Sequence, residues 1–135
     1  MSPPAMDPPK GHADARPAFF NLFQIQLPVG ALTSIAHRLT GVVLAVATPF
    51  AVYLLGLSLR GPDGYAEAGA LFDRWWARLA AVVVVWAFSH HLLAGLRHLL
   101  MDVDVGSRLE PARRSAWAVN VAGAALALLA AAAWL

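Results

Sequence analysis

Three long runs of apolar residues dominate this chain and restrict the folds that it can adopt. They cover about residues 30–59, 76–100 and 115–135, and each is close to the roughly 20 residues that a helix needs to cross the hydrocarbon of a bilayer. A segment in lipid must satisfy its backbone hydrogen bonds internally, so only helices and closed barrels span membranes. The pattern therefore predicts an all-α integral membrane protein with three transmembrane helices.

The composition agrees with a lipid environment. Hydrophobic residues make up 59% of the chain and charged residues 13%, against roughly 25% charged in soluble domains. The formal net charge of +2 comes from arginines beside the apolar runs, which argues against nucleic-acid binding. The chain has no cysteine, so a thiolate-ligated iron–sulfur cluster would have to belong to another subunit.

The N-terminal residues 1–15 contain four prolines and lack the apolar core of a cleavable signal peptide. We expect a disordered cytoplasmic tail here, followed by one membrane-anchor domain over residues 16–135. Two aspartates and almost no arginine before Arg16 argue against a mitochondrial presequence. These features favour a bacterial chain.

The two connections between the apolar runs differ in basic charge. The first opens with a Gly/Pro turn at residues 60–64, and a short interfacial helix is predicted over 65–72 before Trp75 and Trp76. Three arginines flank this connection: Arg60, Arg74 and Arg78. More basic residues lie on the opposite side: Lys10, Arg16, Arg38, Arg97, Arg108, Arg113 and Arg114. The positive-inside rule then predicts a cytoplasmic N-terminus and a C-terminus outside the bacterial inner membrane.

Polar and ionisable residues within two of the runs form the candidate functional site. An ionisable group in a span costs about 2.5 to 3.5 kcal/mol on insertion scales, so a cluster of them needs an explanation. Helical spacings of three and four join two sets: Ser34, His37, Arg38 and Gly41, and His91, Gly95, His98 and Asp102. The first run starts at the cytoplasmic side and the second ends there, so both sets are expected at one membrane depth.

His91 is the candidate ligand of a haem iron. Gly95, one turn away, removes a side chain that would obstruct a flat macrocycle. A six-coordinate haem needs two axial ligands, so the second would come from a partner helix. Candidates for the haem propionates are Arg38, His37 and His98. Donors for a quinone headgroup are available at the same depth from Ser34 and Arg38.

Simpler interpretations stay open from spacing alone. His91 is as easily an interhelical hydrogen-bond partner as a metal ligand, and Arg38 is equally a positive-inside anchor. His90 points about 100 degrees away from His91 and is expected to be a packing or hydrogen-bonded histidine. A further interpretation is that Arg97, His98 and Asp102 are interfacial residues whose side chains reach the lipid headgroups.

The two polar sets resemble the motifs of the cytochrome b556 subunits of succinate dehydrogenase, complex II. The resemblance covers nearly the whole chain after the tail. It is carried by Ser34-x-x-His37-Arg38-x-Thr40-Gly41, by His91-x-x-x-Gly95-x-Arg97-His98-x-x-x-Asp102, and by Arg16-Pro17 before them. Two such motifs in this order on successive spans are a specific signal.

This resemblance implies a non-catalytic anchor in a four-subunit enzyme with a shared helical bundle. A flavoprotein with covalent FAD and an iron–sulfur subunit would oxidise succinate, while two anchors in membrane lipid share haem b and a site for ubiquinone or another quinone. It implies that His91 is the axial ligand, that Ser34 and Arg38 are quinone-site residues, and that His37 and His98 lie near the haem.

Three other functions are compatible with the same residues. One is the anchor of a quinol:fumarate reductase, which runs the chemistry in reverse. Another is a small transporter or channel whose intramembrane His and Arg line a polar path, which predicts no bound pigment. The third is a structural helix bundle in which His91 and Arg38 only make interhelical hydrogen bonds, which predicts that His91 tolerates substitution.

Overall fold

The computed structural model describes residues 27–134, and within them it contains helices and no strand. The helices are α1 (Val29–Ser58), α2 (Pro62–Ala70), α3 (Trp75–Asp102) and α4 (Leu109–Trp134), with a 3-10 turn at Leu71–Asp73. The helices α1, α3 and α4 are long and apolar enough to cross a membrane. The predicted all-α fold with three transmembrane helices is confirmed. The predicted tail over residues 1–15, with Lys10, and the Arg16-Pro17 pair that follows it lie outside the described residues.

Two helix boundaries differ from the prediction. The turn predicted over residues 60–64 is shorter, because Pro62 already begins α2, where proline has its φ preset and loses no hydrogen bond. Gly61 makes the reversal with a φ of 119°, which favours glycine. α4 begins at Leu109, before the apolar run, because a helix can continue beyond the hydrocarbon. Exposed charged residues spaced by three and four line the first two turns of α4: Glu110, Arg113 and Arg114.

The three long helices run in alternating directions, so that each end of the bundle combines one terminus from each helix. At one end the start of α1, the end of α3 and the start of α4 meet around Arg97. At the other end Arg78 of α3 donates from Nη1 to the carbonyl oxygen of Trp134, at 3.3 Å. Trp75, Trp76 and Trp134 are exposed at that second end, as expected for interfacial tryptophans.

Small side chains bring α3 close to both neighbours. Ala87, Ala94 and Ala116 are fully buried. At Gly123 a Cβ atom would lie 3.2 Å from Cβ of His90, so α4 approaches α3 more closely than a larger residue would permit. Close packing of small residues is a main source of helix association in lipid, where the hydrophobic effect does not drive helices together.

Arg97 joins the end of α3 to the start of α4. Its Nε donates to Oγ of Ser115 and its Nη2 to the carbonyl oxygen of Ala112, each at 3.1 Å. A Cβ at Gly30 of α1 would lie 3.9 Å from Nη2. Arg97 is only 8% exposed. The interpretation of this residue as an interfacial group directed at the headgroups is therefore wrong, because its guanidinium is buried between the helices.

Candidate functional site

The histidines of the two polar sets meet between α1 and α3. The rings of His37 and His91 stack with their centroids 4.1 Å apart and their planes at 14°. The ring of His98 lies 5.2 Å from that of His37, tilted by 53°. A Cβ at Gly95 would lie 3.5 Å from Nε2 of His37. Residues that are more than fifty positions apart in the sequence thus form one cluster, which we call the histidine cluster: His37, His91, Gly95 and His98.

The His91 ring is oriented through its Nδ1 atom. Nδ1 lies 3.0 Å from the carbonyl oxygen of His37 and 3.4 Å from Oγ1 of Thr40. Thr40 is fully buried, and its hydroxyl lies 2.8 Å from the carbonyl oxygen of Ala36 and 2.9 Å from that of His37. Since a carbonyl oxygen can only accept, we assign the proton to Nδ1. The lone pair of His91 then resides on Nε2.

Gly41 makes this approach of the two helices possible. A Cβ at this position would lie 3.0 Å from Cε1 of His91 and 3.4 Å from its Nδ1, closer than a side chain packs without a shift. Glycine at this point of α1 therefore allows the backbone carbonyl of His37 to reach the ring of His91. Gly41 and Thr40 belong to the motif of the first run, although spacing alone assigned no role to Thr40.

The geometry of His91 fits the donor set of a haem iron. Histidines that bind metals commonly donate their second ring N–H to a backbone carbonyl, which fixes the tautomer and the ring orientation. Here that contact comes from His37, and Nε2 makes no hydrogen bond to another described residue. Between residues 27 and 134, no group of three His, Cys, Asp or Glu side chains is placed to hold a metal ion. Among these residues His91 therefore offers a single oriented nitrogen and not a complete metal site.

Ser34 and Arg38 lie one helical turn apart on α1. Ser34 is half-buried and Arg38 is exposed. Neither side chain forms a hydrogen bond with another described residue. Their donors are therefore open to a ligand or to a partner chain. Asp102, the last residue of α3, is also exposed.

His90 has different surroundings from its neighbour His91. It is 2% exposed, and its Nε2 lies 3.0 Å from Oδ1 of Asn120 on α4. The prediction that His90 is a hydrogen-bonded histidine is confirmed. The partner was not identified from the sequence, although Asn120 is the only strongly polar residue of the third run and such residues in a span commonly bond across helices.

Comparison with known proteins places the chain in a family. A family model described as "Succinate dehydrogenase/Fumarate reductase transmembrane subunit" matches residues 12–130. Relatives that carry the name "Succinate dehydrogenase cytochrome b556 subunit" include those of three organisms. That of Paracoccus denitrificans is 33% identical over 114 residues, which cover 84% of this chain and 88% of the relative. That of Coxiella burnetii is 33% identical over 107 residues, with 78% and 86% covered, and that of Rickettsia felis is 29% identical over 114 residues, with 84% and 89% covered. The chain belongs to the family of succinate dehydrogenase/fumarate reductase transmembrane subunits.

Proposed function

We propose that this chain is the cytochrome b anchor of a succinate:quinone oxidoreductase in a bacterial inner membrane. With a second anchor subunit it would hold haem b and a site for ubiquinone or another quinone, and it would dock the iron–sulfur and flavoprotein subunits. The observation that carries the proposal is the orientation of His91, whose Nδ1 meets the carbonyl oxygen of His37 at 3.0 Å and whose Nε2 is left for a ligand. The names of the relatives add support.

The residues around His91 would bind and orient the haem. Nε2 of His91 would hold the haem iron, and the His37 carbonyl would keep the proton on Nδ1 and so fix the orientation of the ring. Gly95, which has no side chain and lies against the His37 ring, would leave space for the group beside α3. Propionates would face basic groups from Arg38, His37 and His98. A bound haem b supplies reversible one-electron chemistry.

Ser34 and Arg38 would orient the quinone headgroup. A quinone needs hydrogen-bond donors at its carbonyl oxygens, and the hydroxyl and the guanidinium are donors on one face of α1. Arg38 is exposed on the surface of the bundle, where a quinone arriving from lipid can reach it. Succinate oxidation would take place in the flavoprotein, with FAD and iron–sulfur clusters in partner subunits. No catalytic residue is assigned to this chain.

The family description covers two directions of the same chemistry, succinate oxidation and fumarate reduction. The relatives at 33% identity are named for succinate dehydrogenase, which favours that direction. A transporter and a purely structural bundle explain the intramembrane histidines less well, since neither function requires one imidazole nitrogen to be oriented by a backbone carbonyl while the other stays without a bond.

Removal of this chain tests the proposal as a whole. In cells without its gene, quinone-linked succinate oxidation in membranes should fall to background, because the quinone site and the membrane attachment are both lost. Succinate oxidation with a water-soluble acceptor should move from the membrane to the soluble fraction. Re-expression should reverse both changes. A membrane fraction that keeps wild-type quinone-linked activity without the chain would contradict the proposal.

The proposed orientation makes a separate prediction. A reporter enzyme that is active only outside the cytoplasm should be active when it is fused after Leu135. A reporter that is active only in the cytoplasm should be active when it is inserted between Asp104 and Ser107, because basic residues concentrate around the second connection. The reverse pattern would place the histidine cluster on the wrong face for a cytoplasmic soluble domain.

A further inference from the structure

A second polar cluster lies beside the histidine cluster and joins all three long helices. Its members are Thr33 of α1, His90 of α3 and Asn120 of α4. Oδ1 of Asn120 lies 3.2 Å from Oγ1 of Thr33 and 3.0 Å from Nε2 of His90. Thr33 is completely buried and His90 is 2% exposed. We call this set the Asn120 cluster.

The amide oxygen of Asn120 is the centre of this cluster. Since Oδ1 accepts, we assign the His90 proton to Nε2. Nδ1 of His90 is then an acceptor, and it is buried without a hydrogen-bond partner among the described residues. The single proton of the Thr33 hydroxyl is shared between Oδ1 and the carbonyl oxygen of Val29, at 2.9 Å. The His90 ring therefore has one hydrogen bond to a described residue, the bond to Asn120.

The backbone of α4 is also fitted to His90. At Gly123, one turn beyond Asn120, a Cβ would lie 3.2 Å from Cβ and 3.4 Å from Cδ2 of His90. A side chain at this position would push α4 away and lengthen the bond between Asn120 and His90. The packing of Gly123 and the hydrogen bond of Asn120 thus both fix the position of His90 on α3.

His90 and His91 are consecutive residues of one rigid helix, so their directions are coupled. They point about 100 degrees apart around α3. His90 is bonded to α4 through Asn120, while His91 is bonded to α1 through the His37 carbonyl. Any rotation of α3 that displaces one side chain displaces the other by the same angle.

We propose that the Asn120 cluster fixes the rotation of α3 and thereby aims Nε2 of His91 at the haem iron. Asn120, His90 and Thr33 are then positioning residues, which act on the iron through His91 and do not touch the haem. This inference rests on the proposed function of His91 as an axial ligand.

The test uses the assembled four-subunit complex, purified with its haem, and variants that change the cluster stepwise. Asn120→Leu removes the central acceptor. His90→Phe keeps the ring and removes the donor, whereas His90→Gln keeps a donor nitrogen at a similar reach. Thr33→Val keeps the shape and removes the hydroxyl. Val121→Ala, at an exposed position of α4, is the control.

The readouts are the low-field g value of the oxidised low-spin haem and the rate of haem transfer to a soluble apoglobin. For Asn120→Leu and His90→Phe the haem should stay six-coordinate, its g value should shift, and haem transfer should be about two- to tenfold faster, as for the loss of one hydrogen bond. His90→Gln and Val121→Ala should keep wild-type values, and Thr33→Val should shift the g value less, in the same direction.

Wild-type g values and transfer rates in Asn120→Leu and His90→Phe would overturn the inference, because the cluster would then only hold the helices together. If those two variants do not assemble, an unshifted g value in Thr33→Val or a shift in His90→Gln overturns it. Absence of haem from the unsubstituted complex is a different result, since it overturns the proposed function as well.

Discussion

Replacement of His91 by alanine should remove the low-spin spectrum of the haem and lower the haem content of the assembled complex about tenfold or more. The substitution deletes an axial nitrogen, and the loss of a partner that merely orients a metal ligand already costs about 10- to 100-fold in metal affinity. The measurement is haem per assembled complex, together with the optical and paramagnetic spectra. Leu92→Ala, at the exposed neighbouring position, should leave both unchanged.

The stacked ring of His37 sharpens this prediction. Its centroid lies 4.1 Å from that of His91, so it is the imidazole best placed to approach the iron when His91 is lost. A haem rescued in this way would show altered g values, and the double variant His37→Phe/His91→Ala should then lose it. A wild-type low-spin spectrum in His91→Ala would contradict the assignment of the axial ligand.

Substitutions of Ser34 and Arg38 should separate quinone binding from assembly. Ser34→Ala removes one neutral hydrogen bond, worth about 0.5 to 1.5 kcal/mol, so quinone reduction should fall by roughly tenfold or less. Arg38→Leu removes a charge-assisted donor worth about 1.5 to 3 kcal/mol, so quinone reduction should fall by roughly ten- to a hundredfold. Haem binding should weaken as well in Arg38→Leu, because the same guanidinium is proposed to face a propionate.

The measured quantity is the ratio of quinone-linked to acceptor-linked succinate oxidation in membranes with equal amounts of complex. The water-soluble acceptor takes electrons before they reach the anchor, so its rate should survive both substitutions. Leu39→Ala, exposed on the next position of α1, should keep the wild-type ratio. If Ser34→Ala and Arg38→Leu also keep it, these residues anchor the helix and do not bind quinone.

The three spans were predictable because lipid imposes one simple requirement, an apolar helix of sufficient length. The helix ends were less predictable, since hydropathy marks the limits of the hydrocarbon and not the limits of the helix. α4 therefore begins at Leu109 and not at the first apolar position near Ser115. At Pro62 a residue that is typical of turns begins a helix instead.

Part of the candidate site was also predictable. Helical spacing predicts that His91, Gly95 and His98 share one face, and the alternating direction of the spans predicts that His37 lies at the same depth. In the structure the rings of His37, His91 and His98 do lie close together. The roles of these residues stay predictions, because spacing assigns a depth and a face and does not identify a ligand.

Contacts between helices could not be derived in this way. The bond from Arg97 to Ser115 and the bond from His90 to Asn120 depend on how far each helix is rotated about its axis. That rotation results from packing at small residues such as Gly123, whose effect is set by a neighbour distant in sequence. Spacing alone therefore leaves Arg97 open to interpretation as an interfacial group, whereas its guanidinium is buried.

The assignment of His91 as a haem ligand is tested by the reduced-minus-oxidised optical spectrum of membranes that contain this chain with its partner subunits. We expect the spectrum of a low-spin b-type haem, in proportion to the assembled complex, and its loss when His91 is replaced by alanine. A complex that assembles and oxidises succinate but shows no haem absorption, or whose haem spectrum is the same with and without His91, would contradict it.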